Sequence, residues 1–294
     1  MQSHNFVNFL LKKEYRLIIM SKRIAIINDM SGFGRCSISI ILPIVSHLGV
    51  QGCPVPTAIF SNHTGFPKFY REDFTKHMPA YIDQWKEMDL KFDGIMTGFL
   101  GSAKQIAIVE DFIKSFKSPK TMILVDPVMG DNGYIYPTYT KKMCQEMKRL
   151  IAYADIITPN LTEACFLTDT PYRESGWRHS ELEIMAKELM QMGARQLVIT
   201  GIKMGENFIG NVVATEDGNF EFQRQMIVEE TRSGTGDVFA SVLGADAVNG
   251  VPFAQSVKRA SHFVRRCLIE TLRTPGPSNT GIDFESCLWQ LRKS

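Results

Sequence analysis

Apolar residues in this chain fall into short β-rich runs, separated by stretches in which they recur every three or four positions. The runs Arg23–Asn28, Cys53–Phe60, Gly94–Thr97, Thr121–Val125, Asp155–Thr158 and Gln196–Thr200 are of strand length and are predicted as strands. Helices are predicted over Ser102–Lys117, Lys141–Ala152 and Ser180–Met192. In the first of these, Ile106, Val109, Ile113 and Phe116 share one face, the amphipathic pattern of a helix lying on a sheet. Strands that alternate with helices imply βαβ units and an α/β fold with a mostly parallel sheet covered on both faces. After Gly201 the pattern changes. Phe208–Thr215 and Asn219–Ile227 flank Glu216-Asp217-Gly218, which predicts a hairpin because Asp-Gly suits a tight turn. From about Thr235 onward the chain reads as helical. There is no repeat or low-complexity linker, so a single domain over residues 21–294 is expected.

Composition narrows the functional classes. With 294 residues, 44% hydrophobic and 22% charged, the chain has the balance of a globular protein. A net charge of +2 gives no electrostatic footprint for nucleic acid or for a polybasic membrane contact. The six cysteines are widely spaced and include no CxxC pair, which reads as reduced thiols in a cytoplasmic protein. The first twenty residues carry two short apolar runs broken by Lys12, Lys13, Glu14 and Arg16, too short to span a bilayer. The basic pair follows the first apolar run, unlike a signal peptide. We expect residues 1–20 to be a disordered extension that adds nothing to the fold.

The strongest chemical signal is Thr231-Arg-Ser-Gly-Thr-Gly-Asp-Val-Phe-Ala-Ser241. Gly234 and Gly236 at a helix start leave backbone N–H groups uncovered, and the helix dipole adds positive potential there. That combination holds a phosphate and the charge that develops during its transfer. Asp237, just inside the helix, is placed to accept a proton from an attacking hydroxyl. A G-x-G-D pattern alone is equally a helix entry with a dipole-favouring acid, so its company matters. Val125-Asp-Pro-Val-Met-Gly-Asp-Asn-Gly133 puts Asp126 and Asp131 at one strand end, and Thr158-Pro-Asn-Leu-Thr-Glu163 puts Asn160 and Glu163 at the next. Ligands bind outside the carboxyl ends of such strands. Hard oxygen donors beside phosphates are what Mg²⁺ requires. Each stretch by itself is also what a capped turn looks like.

Phe60-Ser-Asn-His-Thr-Gly-Phe66 follows the second strand and Gly98-Phe-Leu-Gly-Ser102 the third, offering aromatic faces and short polar donors for a flat heteroaromatic ligand. Gly32-Phe-Gly34-Arg-Cys-Ser37 imitates a dinucleotide fingerprint, but Ser37 stands at the third glycine position and no acidic residue ends the second strand. A Walker A loop and the protein-kinase HRD and DFG sequences are absent.

In this order, FSNHT, TGFLGS, DPVMGD, TPNLTEA and SGTGDVFA resemble the pyridoxal (or pyridoxamine) kinases of the ribokinase superfamily. The resemblance runs from about Arg23 to the C-terminal helices. It implies a three-layer α/β/α fold, a homodimer, and phosphorylation of the 5′-hydroxymethyl group of a B6 vitamer by Mg²⁺ and ATP, with a monovalent cation as a further candidate. On matching positions, it implies Asp237 as general base and the backbone of Ser233, Gly234, Thr235 and Gly236 as anion hole. Asp126, Asp131, Asn160 and Glu163 would serve ATP and metal, with Asp131 and Glu163 as the metal carboxylates. Thr158 and Thr200 would line the nucleotide side, and Phe60, His63, Thr64 and Phe99 the vitamer pocket. Many members have Ser-His after the first strand, the Ser bonding the pyridine ring. This chain has Asn28-Asp-Met-Ser-Gly32, closer to hydroxymethylpyrimidine kinases. Asp29 is expected at the C-terminal end of the first strand. There it either favours a ring with a protonated nitrogen or an amino group, or caps the following turn. A hydroxymethylpyrimidine kinase, or a nucleotide-binding regulator without catalysis, are the alternatives.

Overall fold

The computed structural model describes residues 21–228, 232–273 and 276–291, so the extension at residues 1–20 lies outside the described residues. Nine strands form one sheet: β1 (Arg23–Phe33), β2 (Gln51–Asn62), β3 (Arg71–Asp73), β4 (Gly94–Thr97), β5 (Met122–Val125), β8 (Ile156–Ile157), β9 (Gln196–Lys203), β10 (Phe208–Thr215) and β11 (Phe220–Met226). Their order is β11-β10-β9-β8-β5-β4-β1-β2-β3. From β2 through β9 every pairing is parallel, while β3 and the β10–β11 hairpin run antiparallel at the two edges. A separate small hairpin pairs β6 (Gly130–Asp131) with β7 (Tyr134–Ile135).

Side chains alternate across the sheet with period two. In β1, Ala25 and Ile27 enter one core and Ile24 and Ile26 the other. The first core is closed by α2 (Met78–Glu87), α3 (Ala103–Phe116), α4 (Lys141–Ile151), α5 (Leu161–Leu167) and α6 (His179–Gln191). The second is closed by α1 (Ile38–His47), α7 (Thr235–Asn249) and α8 (Phe253–Arg273). Both faces are therefore covered, and the expected three-layer α/β/α architecture is what the chain adopts. The helix α3 buries Ile106, Val109, Ile113 and Phe116, the face its spacing predicts, and Ser102 caps it by accepting from Gln105 N.

The sequence reading differs from the structure at element ends. The first two strands do not stop at Asn28 and Phe60. After a register shift between Asn28 and Met30 they continue, pairing Ser31 with Phe60 and Phe33 with Asn62. Asp29 thus lies inside β1 rather than at its end. The strand β8 is shorter than expected because Pro159 has no N–H to extend the ladder. The helix α1, which contains Pro43, and α2 were not predicted.

Parallel pairing aligns the carboxyl ends of the strands. Backbone bonds carry that alignment into the loops: Gly98 N donates to Ile27 O at 2.9 Å, Asp126 N to Thr97 O at 3.2 Å, and Thr158 N to Val125 O at 3.3 Å. The loops after β1, β4, β5 and β8 consequently face one crevice.

Candidate active site

The helix α7 is buried on nearly every side, from Val238 to Ala245, which fixes its position under the sheet. Its N-cap is Gly234, at φ 89°, with no side-chain cap. A Cβ on Gly234 would meet Ile40 Cδ1 at 2.3 Å and Arg35 O at 2.6 Å, so glycine is required there by the protein itself. Gly236 is different: a Cβ there meets nothing within 4 Å. The first N–H groups of a helix have no intrahelical acceptor, and the space beside Gly236 leaves room for one supplied by a ligand.

Asp237 is half-buried beside them, its Oδ2 accepting from the Ser37 backbone N–H at 2.8 Å. Burial pushes its pKa up to about 7; the Ser37 bond and the Asn28 side-chain amide oppose that shift, and the charge of Asp29 adds to it. Asp126 is pushed further, to about 8, by burial and by the charge of Asp237, although Thr158 Oγ1 donates to its Oδ1 at 3.0 Å.

Glu163 sits in the first turn of α5 and is also raised, chiefly by burial and then by Asp126. Its Oε2 accepts from Asn160 N at 2.8 Å, while Asn160 Oδ1 accepts from Glu163 N at 2.9 Å, a reciprocal capping box. The same residues anchor the β6–β7 hairpin. Met129 N donates to Glu163 Oε1 at 3.0 Å, Asn160 Nδ2 to Gly130 O at 2.8 Å, and Gly133 N to Thr162 Oγ1 at 3.0 Å. Asp131 is exposed on that hairpin, its carboxylate taking the Asn132 N–H at 2.8 Å. Tyr136, just past β7, has its phenol held protonated by burial and by the charges of Glu163, Asp131, Asp126 and Asp237, which places it at the same acidic cluster.

On the other side of Asp237, the buried Phe60 packs edge-on against Phe99, with ring centroids 6.0 Å apart. Phe99 is fixed by its N–H donating to Asn28 Oδ1 at 2.8 Å. His63 is buried, with Nε2 2.8 Å from Asn279 O and Nδ1 accepting from Gly65 N at 3.1 Å. That pair of partners selects the neutral ring with its proton on Nε2. Thr64 is exposed. A Cβ on Gly65 would lie 3.8 Å from Ser233 Oγ, so the loop after β2 abuts the glycine-rich turn before α7. Thr200 lies at the strand-end level of Asn160, to which it forms an isolated parallel bridge. Asp29 has both oxygens occupied by hydroxyls, Ser37 at 2.6 Å and Ser31 at 3.2 Å, and burial raises its pKa.

Electrostatic contact therefore runs in sequence from Glu163 to Asp126, Asp237 and Asp29. Glu163, Asp126, Asp237 and Asp29 thus form one cluster at the strand ends, to which Phe99 and Phe60 are joined through Asn28. Asn28, Ser37, Thr162 and Tyr136 belong to it too, and sequence reasoning missed them. Ser37 stood inside the apparent dinucleotide fingerprint, and Asn28 ended the first predicted strand and opened the Asn28–Gly32 segment without being given a role of its own. A cleft of about 440 Å³ between Trp177, His179, Phe222 and Arg224 includes none of the predicted residues.

A crevice at the carboxyl ends of a doubly covered α/β sheet, with open amides and a raised carboxylate at one helix start, defines a phosphotransferase acting on an alcohol group. The phosphomethylpyrimidine kinase family profile matches residues 42–280, and the chain belongs to that family. A pyridoxal kinase PdxY of Actinobacillus pleuropneumoniae is 30% identical over 233 residues, covering 74% of this chain and 78% of that protein. A proposed phosphomethylpyrimidine kinase of Bacteroides thetaiotaomicron has a crystal structure with TM-score 0.90 and 36% identity over 93% of this chain and 95% of its own. A second crystal form of that enzyme, with pyridoxal, superposes with TM-score 0.87 and 35% identity over 92% and 95% of the two chains. The pyridoxal kinase of Lactobacillus plantarum gives TM-score 0.84 at 25% identity, covering 92% and 96%. The expected resemblance to pyridoxal kinases is borne out.

Proposed function

We propose that the protein transfers the γ-phosphoryl group of ATP to the 5′-hydroxymethyl group of a B6 vitamer: pyridoxal, pyridoxamine or pyridoxine. The observation that carries this is the α7 start, where open backbone amides and a carboxylate raised to about 7 share one point of the crevice. Asp237 takes the hydroxyl proton as the oxygen attacks. A base with that proton affinity is ionised near neutral pH and still strong enough to help. The amides of Gly234, Thr235 and Gly236 receive the charge on the transferred phosphoryl group. Phe60 and Phe99 form the aromatic wall for the ring, with His63 and Thr64 at its rim. Thr158, Asn160, Thr200 and Ser233 line the nucleotide side.

No group of three or more His, Cys, Asp or Glu side chains among the described residues is gathered closely enough to hold a metal alone, so the carboxylates would hold a divalent cation only together with phosphate oxygens and water. Asp126, Asp131 and Glu163 are hard oxygen donors whose pKa values are raised, in each case first by burial and, at Asp126 and Glu163, also by the charge of a neighbouring carboxylate. Asp131 and Glu163 would hold Mg²⁺, with Asn160 assisting through water; each Glu163 oxygen retains a lone pair beyond its backbone bond. When bound, the ion supplies charge neutralisation on the phosphates. A monovalent cation is a further candidate.

Met30, Phe33, Ile59, Phe69 and Tyr70 are 40% or more exposed on and beside the extended β1–β2–β3 strands. This supports a homodimer through that face, readable by sedimentation. No described helix is long and apolar enough to cross a membrane. A cytoplasmic protein with one kinase domain over 21–294 is the corresponding reading. The family profile, described as phosphomethylpyrimidine kinase, supports keeping a hydroxymethylpyrimidine kinase as the second reading. Purified protein with MgATP and each vitamer, followed by mass spectrometry, tests the proposal. A phosphorylated vitamer is expected; none with any vitamer would overturn it.

A further inference from the structure

Asp29 is 6% exposed, at the bulge that shifts the β1–β2 register. A buried carboxylate requires partners, and it has two. Ser37 Oγ donates to Oδ1 at 2.6 Å and Ser31 Oγ to Oδ2 at 3.2 Å. Ser37 immediately precedes α1, yet its hydroxyl makes no cap bond there. Its backbone has φ 53° and ψ −136°, outside the regions that non-glycine residues ordinarily occupy. Such a conformation persists only where the surroundings fix it. The consequence is that the Ser37 N–H points at Asp237 Oδ2, 2.8 Å away. On its outer side the same loop is tied down by Arg35 N donating to Thr280 O at 3.1 Å. Asp29 supplies the anchor on the sheet side.

We propose that Asp29 is a positioning residue for phosphoryl transfer: it grips the Ser37 hydroxyl, and the Ser37 amide, so held, aims the Asp237 carboxylate at the substrate hydroxyl. This assigns Asp29 to the base rather than to the vitamer ring or to a turn cap, the two uses the sequence left open. It rests on the reading of Asp237 as general base.

The variants Asp29→Ala, Asp29→Asn, Ser37→Ala and Ser37→Gly separate these uses. Asparagine can keep the anchor, its oxygen accepting from Ser37 and its amide donating to Ser31. Glycine at position 37 reaches the positive φ without an anchor. Misplacing a reacting group by about an ångström costs up to about a hundredfold in rate. Asp29→Ala should therefore lower kcat about ten- to a hundredfold, with KM for ATP and vitamers changed less than about threefold. Asp29→Asn should recover kcat to within about threefold of wild type, and Ser37→Gly should lose less than Ser37→Ala. In the Ser37→Ala background, Asp29→Ala should add less than about twofold, because coupled residues are not additive. Should Asp29→Ala fail to fold, the Asp29→Asn and Ser37→Gly comparisons still decide. An Asp29→Asn enzyme with wild-type kcat and an altered ratio of vitamer KM values would place Asp29 on the ring and overturn the proposal. So would full kcat in Asp29→Ala, or an Asp29→Asn enzyme as impaired as Asp29→Ala. Asp237→Asn in the same assay distinguishes the two readings. If it is inactive while Asp29→Ala is unaffected, only the positioning role falls; if Asp237→Asn is active, the base assignment itself falls.

Discussion

Replacing Gly236 by alanine puts one methyl group above the first turn of α7, where a Cβ meets no protein atom within 4 Å. Its φ is not in the left-handed region, so the fold itself has no need of glycine there. Alanine is better than glycine inside a helix by about 0.5–1 kcal/mol. In a protein of this size about 1 kcal/mol moves Tm by roughly 2–4 °C. Gly236→Ala should accordingly melt about 1–3 °C above wild type. Activity should move the other way. The methyl group occupies the space through which a phosphoryl oxygen reaches the helix amides, and losing one such donor costs about 10²–10³ in kcat. Gly234→Ala is the control, because its φ of 89° and its contact with Arg35 O make it destabilising as well. The left-handed conformation alone costs a non-glycine residue about 1–2 kcal/mol. Thermal melts and an ADP-release assay on both variants read the contrast. Turnover of Gly236→Ala within twofold of wild type would refute the assignment of that space to a phosphate, and a lowered Tm would refute the stability argument.

With Asp237 raised to about 7, kcat/KM should climb with pH through that value, so that at pH 6 it is about a tenth of its plateau; a flat profile from pH 5.5 to 8 would contradict this. The linkage to stability has the opposite sign. Asp126, at about 8, and Asp237, at about 7, bind protons more tightly in the folded protein than an ordinary aspartate at 3.8 does, so their contribution is complete below about pH 4 and is lost as pH rises to about 8. Tm of the ligand-free protein should therefore fall between pH 5 and 9, and Asp126→Asn should raise it at pH 8 by at least about 2 °C, read by calorimetry. Asn160→Ala removes both the cap of α5 and the bond to Gly130 O. It should cost about 2–3 kcal/mol in denaturant titrations, and a loss under about 0.5 kcal/mol would show that the β6–β7 hairpin is held by other contacts.

What the sequence reveals depends on whether a signal is local. The βαβ alternation and the α3 face could be read because buried strands and amphipathic helices carry their periods in a few residues. Glu163 and Asn160 were recognisable as a pair because three residues of helix bring them together. Ser37 and Asp237 are 200 residues apart and joined by one backbone amide, and no local pattern encodes that contact. Tyr136 meets the carboxylates only because the β6–β7 hairpin folds back onto α5. Asp29 was misplaced because a bulge let β1 continue past Asn28. The strand signal placed the residue near the strand ends, but the direction of its side chain depends on Ser31 and Ser37.

On the proposed reading, this chain phosphorylates a vitamer hydroxymethyl group with Asp237 as the base. The most direct test is the rate of 5′-phosphate formation from pyridoxal and MgATP by wild type and by Asp237→Asn, followed by mass spectrometry. Wild type should form the phosphate, and Asp237→Asn should lower kcat by about two to four orders of magnitude with KM nearly unchanged. A variant that keeps more than half of wild-type kcat would contradict the account.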